Sequence, residues 1–208
     1  MRKILFGANI PQTAPDYNTM KRVALECENC GFDFVWISDH MQDLASPKPY
    51  FECWTTISAL AAETNRIRLT TVLMNNLFRH PSLLAKMSAT LDIISKGRLN
   101  LGIGAGWYSE ECESYGIPFP NPLERIQQLD EAIEILRELW TKDNVTFAGK
   151  YYTLNGASLI RNQSRNRILP SGRASCMGKN ACLRLLPNML TLGQSQASTC
   201  PPQRNISK

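Results

Sequence analysis

The sequence predicts an α/β fold of parallel strands joined by helices. Three observations carry that expectation. Four short apolar runs of strand length are each followed by a segment with apolar residues at helical spacing, and glycine or proline breaks separate them. The chain, at 208 residues, is also long enough for one domain with a sizeable core. Alternation of this kind implies parallel strands joined by right-handed crossovers. Two architectures satisfy it, an open doubly wound sheet and a (β/α)8 barrel. A barrel needs about 250 residues, so four units make half of one.

Lys3 to Ile10 reads as the first buried strand. After Pro11 to Pro15 a helix starts near Asp16 or Asn18, with Met20, Val23, Ala24 and Cys27 on one stripe, and Gly31 ends it as the C′ residue. Phe34 to Ile37 is the second strand and runs directly into Ser38-Asp39-His40. A loop containing Pro47 and Pro49 leads to a second helix over Glu52 to Glu63, with Cys53, Ile57, Leu60 and Ala61 inward. Ile67 to Met74 makes the third strand and Asn75 to His80 the loop after it. Pro81 suits the first turn of a third helix, which carries Leu84, Met87, Leu91 and Ile94 inward.

The fourth strand lies in Gly97 to Trp107, where Leu99, Leu101 and Ile103 give an apolar run and Gly102, Gly104 and Gly106 bare the backbone at its end. Bare backbone at the carboxyl edge of a sheet brings peptide N–H groups against a ligand, but glycine also permits a tight bend with no ligand present. Trp107 to Pro120 reads as a loop with an acidic patch at Glu110, Glu111 and Glu113. Asn121 then caps a long helix with Pro122 at N1, Glu124 at N3, and Ile126, Leu129, Ile133, Leu136 and Trp140 at spacings of three and four. Val145 to Leu154, broken at Ala148-Gly149-Lys150, reads as a hairpin.

The net charge of +5 averages two unlike parts. Residues 1–160 hold 15 Lys and Arg against 18 Asp and Glu, whereas residues 161–208 hold 8 basic residues, no acidic ones and no aromatics. The basic segment lacks dense Lys/Arg clusters and interleaved aromatics, which argues against a nucleic-acid partner. Seven cysteines, an odd number without secretory context, do not form a disulfide framework. Cys27 and Cys30 make a lone C-x-x-C inside a helical pattern, and with two histidines in the chain no zinc site is expected. No apolar run reaches membrane-spanning length, so no membrane partner is expected. The short run Ile4 to Ile10 is interrupted by Gly7 and Asn9, which makes it the first strand of a cytoplasmic protein.

Several stretches, in order and spacing, resemble the bacterial luciferase-like monooxygenases, and within them the coenzyme F420-dependent (deazaflavin) oxidoreductases. They are Gly31-Phe32-Asp33-Phe34-Val35-Trp36-Ile37-Ser38-Asp39-His40, Ile67 to Val72 leading to Asn76-Leu77-Phe78-Arg79-His80-Pro81, and Gly97-Arg98-Leu99 with Gly102 to Trp107. Tyr115-Gly116-Ile117-Pro118-Phe119 and Phe147 to Tyr152 complete the match, which covers about residues 1–160. The resemblance implies a TIM (β/α)8 barrel, here its first four units plus the hairpin, with a reduced flavin or deazaflavin at the carboxyl ends of the strands. It implies hydride transfer to or from a small organic substrate, with F420 as cofactor and FMN as the alternative. Asp39 and His40 then lie at the reaction centre, His40 suiting proton transfer because imidazole donates and accepts near neutral pH. Met74, Asn75 and Asn76 correspond to a strained backbone, often a non-proline cis peptide, against the cofactor ring, and Gly104, Gly106 and Trp107 to the ring-contact loop after the fourth strand. Some members carry an acidic catalytic residue at the position of Trp107, so the resemblance disfavours sugar-phosphate dehydrogenation.

Each assignment has a plainer counterpart: Asp39-His40 as a helix-capping pair, His80 as the cap of the third helix, and Asn75 and Asn76 as turn formers. After Ile160 the family's pattern stops. The loss of acids and aromatics there suggests a reading-frame change, with a natural basic tail as the alternative, and residues 161–208 are expected to be disordered. Half a barrel should leave its first and fourth strands with open edges and its inner faces uncovered, which a homodimer of two halves could cover. The alternative to an oxidoreductase is an inactive truncated fragment or a non-catalytic flavin-binding remnant.

Overall fold

The structure, a computed structural model, describes residues 4–45 and 48–159. The expectations for residues 161–208 lie outside the described residues. The chain runs β1 (Gly7–Asn9), α1 (Tyr17–Asn29), β2 (Phe34–Ile37), α2 (Cys53–Glu63), β3 (Arg68–Thr71), β4 (Met74–Asn75), α3 (Pro81–Ile94), β5 (Leu99–Asn100) and β6 (Ile103–Gly104). It continues through α4 (Ser109–Ser114), α5 (Pro122–Thr141), β7 (Val145–Ala148) and β8 (Thr153–Ala157). Strands β1, β2, β3 and β5 form one parallel sheet in that order, and β4 pairs in parallel with β6. Strand order follows chain order and every neighbouring pair is joined through a helix, as the alternation requires.

The third and fourth strands are each divided in two. Between β3 and β4 the Val72–Leu73 peptide is cis. The expected site for it was Met74 to Asn76; it falls instead where the chain leaves the first ladder, since Met74 N already donates to Gly102 O in the second. The bare backbone opposite makes room: a Cβ on Gly102 would sit 2.4 Å from Thr71 O, and one on Gly104 3.1 Å from the Leu73 side chain. The bare sides of these glycines therefore lie against this chain's own Thr71 and Leu73.

Helix caps follow local chemistry. Asp16 accepts from Thr19 N, Glu52 from Trp54 N and Thr55 N, His80 from Ser82 N, and Asn121 from Glu124 N. His80 thus takes the capping role. The segment expected as a loop after Trp107 contains the short helix α4. Two helical stripes are rotated from expectation. On α3, Ile94 is 49% exposed while Ala85 and Ser88 are buried, and on α5, Ile126 is 36% exposed while Ala132 and Ile135 are buried. The small residues of α3 let the helices approach closely, and Trp140 Nε1 reaches Ala85 O at 3.3 Å.

Val35, Ile37, Leu69 and Leu99 face the helices and join one core with Met20, Ile57 and Leu84. By strand periodicity and register, Phe34, Trp36, Arg68, Thr70 and Asn100 share the opposite face. That face was expected to be uncovered, but it is largely polar and bonded: Arg68 donates to Asn100 Oδ1, and Asn100 Nδ2 donates to Thr70 Oγ1. Strands β1 and β5 are the sheet's edges, as half a barrel requires.

Two buried charges hold the amino-terminal end of the sheet. Arg98 donates to the carbonyls of Ala61, Thr64, Ile67 and Ser95 and to Thr64 Oγ1. Glu28 accepts the backbone N–H groups of Asn65, Arg66 and Ile67. Burial alone would raise the Glu28 carboxyl, but the three N–H donors outweigh it and hold it below the ordinary value. Its stabilising contribution is therefore full above the unfolded value of about 4.3 and is lost as pH falls through the lower folded value. Glu28→Gln should cost about 1–2 kcal/mol near pH 7. Urea melts should show that difference shrinking toward about pH 3, because only the wild type loses its carboxylate.

Candidate functional site

The loops after β2, β4 and β6 meet at the carboxyl end of the sheet, where open α/β sheets and barrels place their chemistry. His40 lies in the first of these loops, with Nδ1 2.9 Å from Glu111 Oε2. The other carboxylate oxygen of Glu111 accepts Met41 N at 2.6 Å. Glu111 is fully buried, so α4 clamps the residues after β2 with a carboxylate shielded from solvent. Tyr115 Oη adds a long contact to Met41 O. The Trp107 ring stands edge-on to His40, centroids 6.0 Å apart, and leans on Tyr108 at 5.2 Å. Trp107 is 63% exposed and so offers an open aromatic wall beside the imidazole.

Asp39 is buried and engaged. Arg79 grips it with two bonds, Nη1 to Oδ2 at 2.6 Å and Nη2 to Oδ1 at 3.0 Å, and Asn75 N donates to Oδ2 at 2.8 Å. Arg79 also bridges to Glu52 at 2.8 Å, tying the first turn of α2 into the cluster. Burial raises the Asp39 carboxyl, and Arg79 and the Asn75 N–H pull against it. Its oxygens hold the loop after β4 in place, while the imidazole of the neighbouring His40 remains accessible.

The expected cofactor-contact positions separate by strand period. Met74 is fully buried and accepts from Cys53 Sγ at 3.8 Å, a core contact on the helix side. Its side chain therefore has no access to a ligand. Asn75 points the other way, yet its Oδ1 accepts Leu77 N in a local turn. Asn76 is buried with N bound to Gly104 O and Nδ2 donating to Tyr152 Oη, and its Oδ1 has no partner among the described residues. Gly106 has φ +80°, and a Cβ there would meet Asn75 Oδ1 at 2.7 Å, so the β6 loop closes on the β4 loop through glycine.

Four site residues are not marked as such by the sequence. Glu111 stands there only in an acidic patch, Arg79 only within a matching stretch, and Tyr152 in a hairpin remote in sequence. Gln12 carried no signal, yet it is buried and stitches three segments: its Nε2 donates to Ser38 O and Phe51 O, and its Oε1 accepts Ser38 N and Tyr50 Oη. Burial pushes the Tyr50 phenol up to about 12, so it stays a donor there.

A family model described as luciferase-like monooxygenase matches residues 4–174. F420-dependent glucose-6-phosphate dehydrogenases of Amycolatopsis mediterranei (strain U-32) and Kineococcus radiotolerans are 34% and 36% identical to this chain over 163 and 161 residues. Each match takes 76% of this chain and 48% or 46% of the relative. The chain thus spans about half the length of the curated relatives it matches. Among solved structures, an F420-dependent secondary alcohol dehydrogenase in complex with an F420-acetone adduct superposes with a TM-score of 0.69 at 25% identity, over 84% of this chain and 51% of that one. The coenzyme F420-dependent tetrahydromethanopterin reductase of Methanopyrus kandleri superposes at 0.66 with 24% identity, over 84% and 49%. The described strands and helices thus correspond to half of a TIM barrel, and the closed barrel is favoured over the open sheet. No helix among the described residues is long and apolar enough to cross a membrane.

Proposed function

We propose that this chain, which belongs to the luciferase-like monooxygenase family, forms one wall of a hydride-transfer site for a small organic substrate, with coenzyme F420 as cofactor and FMN as the alternative. The observation that carries this reading is the placement of two groups, in the loops after β2 and β4, at one end of the parallel strands. They are His40 and Asn76: among the described residues, His40 Nε2 makes no hydrogen bond and the buried Asn76 Oδ1 has no partner. An unpaired buried carbonyl costs about 1–3 kcal/mol unless a ligand satisfies it. The pyrimidine ring of either cofactor presents a matching N–H, so the residues fit the group.

When bound, the deazaflavin supplies the carbon that carries the hydride. Asn76 Oδ1 would accept the ring N–H, with Tyr152 fixing the amide's orientation. The backbone of Gly104 to Gly106 would help to hold the ring, and His40 Nε2 would move the substrate proton. Trp107 and Tyr108 keep an apolar wall beside the imidazole, suited to an uncharged substrate, although the curated relatives are named for glucose 6-phosphate. Asp39 acts through Arg79 and Asn75 N as a positioning residue.

Titration of the full chain with F420, followed by its fluorescence, should saturate. Asn76→Leu should weaken binding about tenfold, the worth of one hydrogen bond. Folded protein that leaves the fluorescence unchanged would sink this reading. It would favour a non-catalytic remnant, a second reading motivated by the half-length match to the relatives.

A further inference from the structure

We propose that Glu111 is the positioning residue for His40, fixing its imidazole as the Nδ1–H tautomer so that Nε2 presents a lone pair to the substrate. The inference rests on the hydride-transfer reading for what Nε2 does, but its structural content is independent of any cofactor.

The backbone N–H of Met41 can only donate, so Glu111 Oε1, 2.6 Å away, must accept. That leaves Oε2, 2.9 Å from His40 Nδ1, to share one proton with the ring. A backbone N–H held as close as 2.6 Å is the short contact of an ionised carboxylate, which can only accept, so the shared proton is the ring's and sits on Nδ1. Glu111 is fully buried and has no solvent in which to reorient, so the ring's angle and tautomer are set together. Trp107, edge-on at 6.0 Å, stands beside the same ring.

The consequence for the reaction is directional. When a substrate alcohol is oxidised, its carbon would give up a hydride to the oxidised deazaflavin of the proposed function while the hydroxyl proton passes to Nε2, and the imidazolium that forms is neutralised by Glu111 across the 2.9 Å bond. In reduction the same Nε2–H returns the proton to oxygen. A ring in the opposite tautomer has no lone pair at Nε2 to take the proton, and giving up its Nε2–H would leave an imidazolate, so it serves poorly in both directions.

Glu111→Gln makes a sharp test. Met41 N–H still demands an acceptor, so the glutamine carbonyl must face it and the amide NH2 must face His40. Nδ1 then has to accept, and the tautomer inverts with the fold retained. Proton–nitrogen correlation spectra of the histidine rings read this directly, recorded on the full chain without cofactor at a pH where imidazole is neutral. Only His40 and His80 contribute, and His80→Ala assigns them. The expected result is Nδ1–H on His40 in the wild type and Nε2–H in E111Q, with turnover in E111Q down about 10²–10⁴-fold. A wild-type Nε2–H signal, or an unchanged tautomer in folded E111Q, overturns the proposal. If E111Q does not fold, the wild-type spectrum alone decides. A protein with the expected tautomer that never binds F420 refutes the proposed function and leaves Glu111's role standing.

Discussion

Replacing Arg79 with leucine is expected to cost about 3–5 kcal/mol of folding stability, because it leaves the buried Asp39 carboxylate facing a side chain that cannot donate. Arg79 supplies two of the three hydrogen bonds that Asp39 receives, and its other bond goes to Glu52 at the start of α2. Without it, two carboxylates that shared one cation are left together. Chemical denaturation should show a second signature in the pH dependence. Burial already holds the Asp39 carboxyl above its ordinary value, and loss of the counter-charge raises it further, so R79L should gain stability relative to wild type as pH falls. Adding Asp39→Asn to R79L should recover much of the loss at neutral pH, since the double variant buries no bare charge. Losses that simply add across this cycle would mean that the pair is not coupled. The loop after β4 depends on Asp39 through Asn75 N, so the same variant should also weaken F420 binding.

Arg98→Met should be as damaging, for a reason with no net charge in it. The guanidinium is buried among neutral acceptors, and its five bonds tie the end of α2, the turn after α3 and the start of β3 into one knot. Burial draws the Arg98 guanidinium below its ordinary value. Methionine fills a similar volume but strands four carbonyl groups, those of Ala61, Thr64, Ile67 and Ser95. Partial rescue by water limits the expected cost to about 3–5 kcal/mol. For a chain of this size that lowers Tm by roughly 10 °C. A calorimetric loss of only a degree or two would mean that those carbonyls find other donors.

The elements were legible because each is written in local chemistry. Pro81 and Pro122 sit at N1 of α3 and α5, caps precede both, and the apolar runs of β2 and β3 fall at strand length. What was not legible depended on which of two overlapping helical stripes is buried. Ile126 and Ile94 have the right spacing, but close packing against the small residues of α3 turns the helices so that alanines face inward. The site divides similarly. His40 and Asp39 follow a strand and are easily singled out, yet nothing in the linear text says that Glu111, 71 residues on, closes on His40, or that Arg79 claims Asp39. The glycines in and around β6, Gly102, Gly104 and Gly106, read in sequence as a ligand cradle. Their bare sides are filled by Thr71, Leu73 and Asn75, a crossing that exists only once two strands are aligned.

The bond between Tyr152 and Asn76 spans 76 residues, from the hairpin back to the loop after β4. Glu131 holds the hairpin's turn by accepting the N–H groups of Lys150, Tyr151 and Tyr152, so that phenol arrives on a pre-shaped arm. During synthesis on the ribosome, the amide of Asn76 therefore waits without its phenol until the hairpin has left the exit tunnel. Nascent chains released before residue 152 should carry the β4 loop in an unfinished form, open to proteases that the longer chain resists.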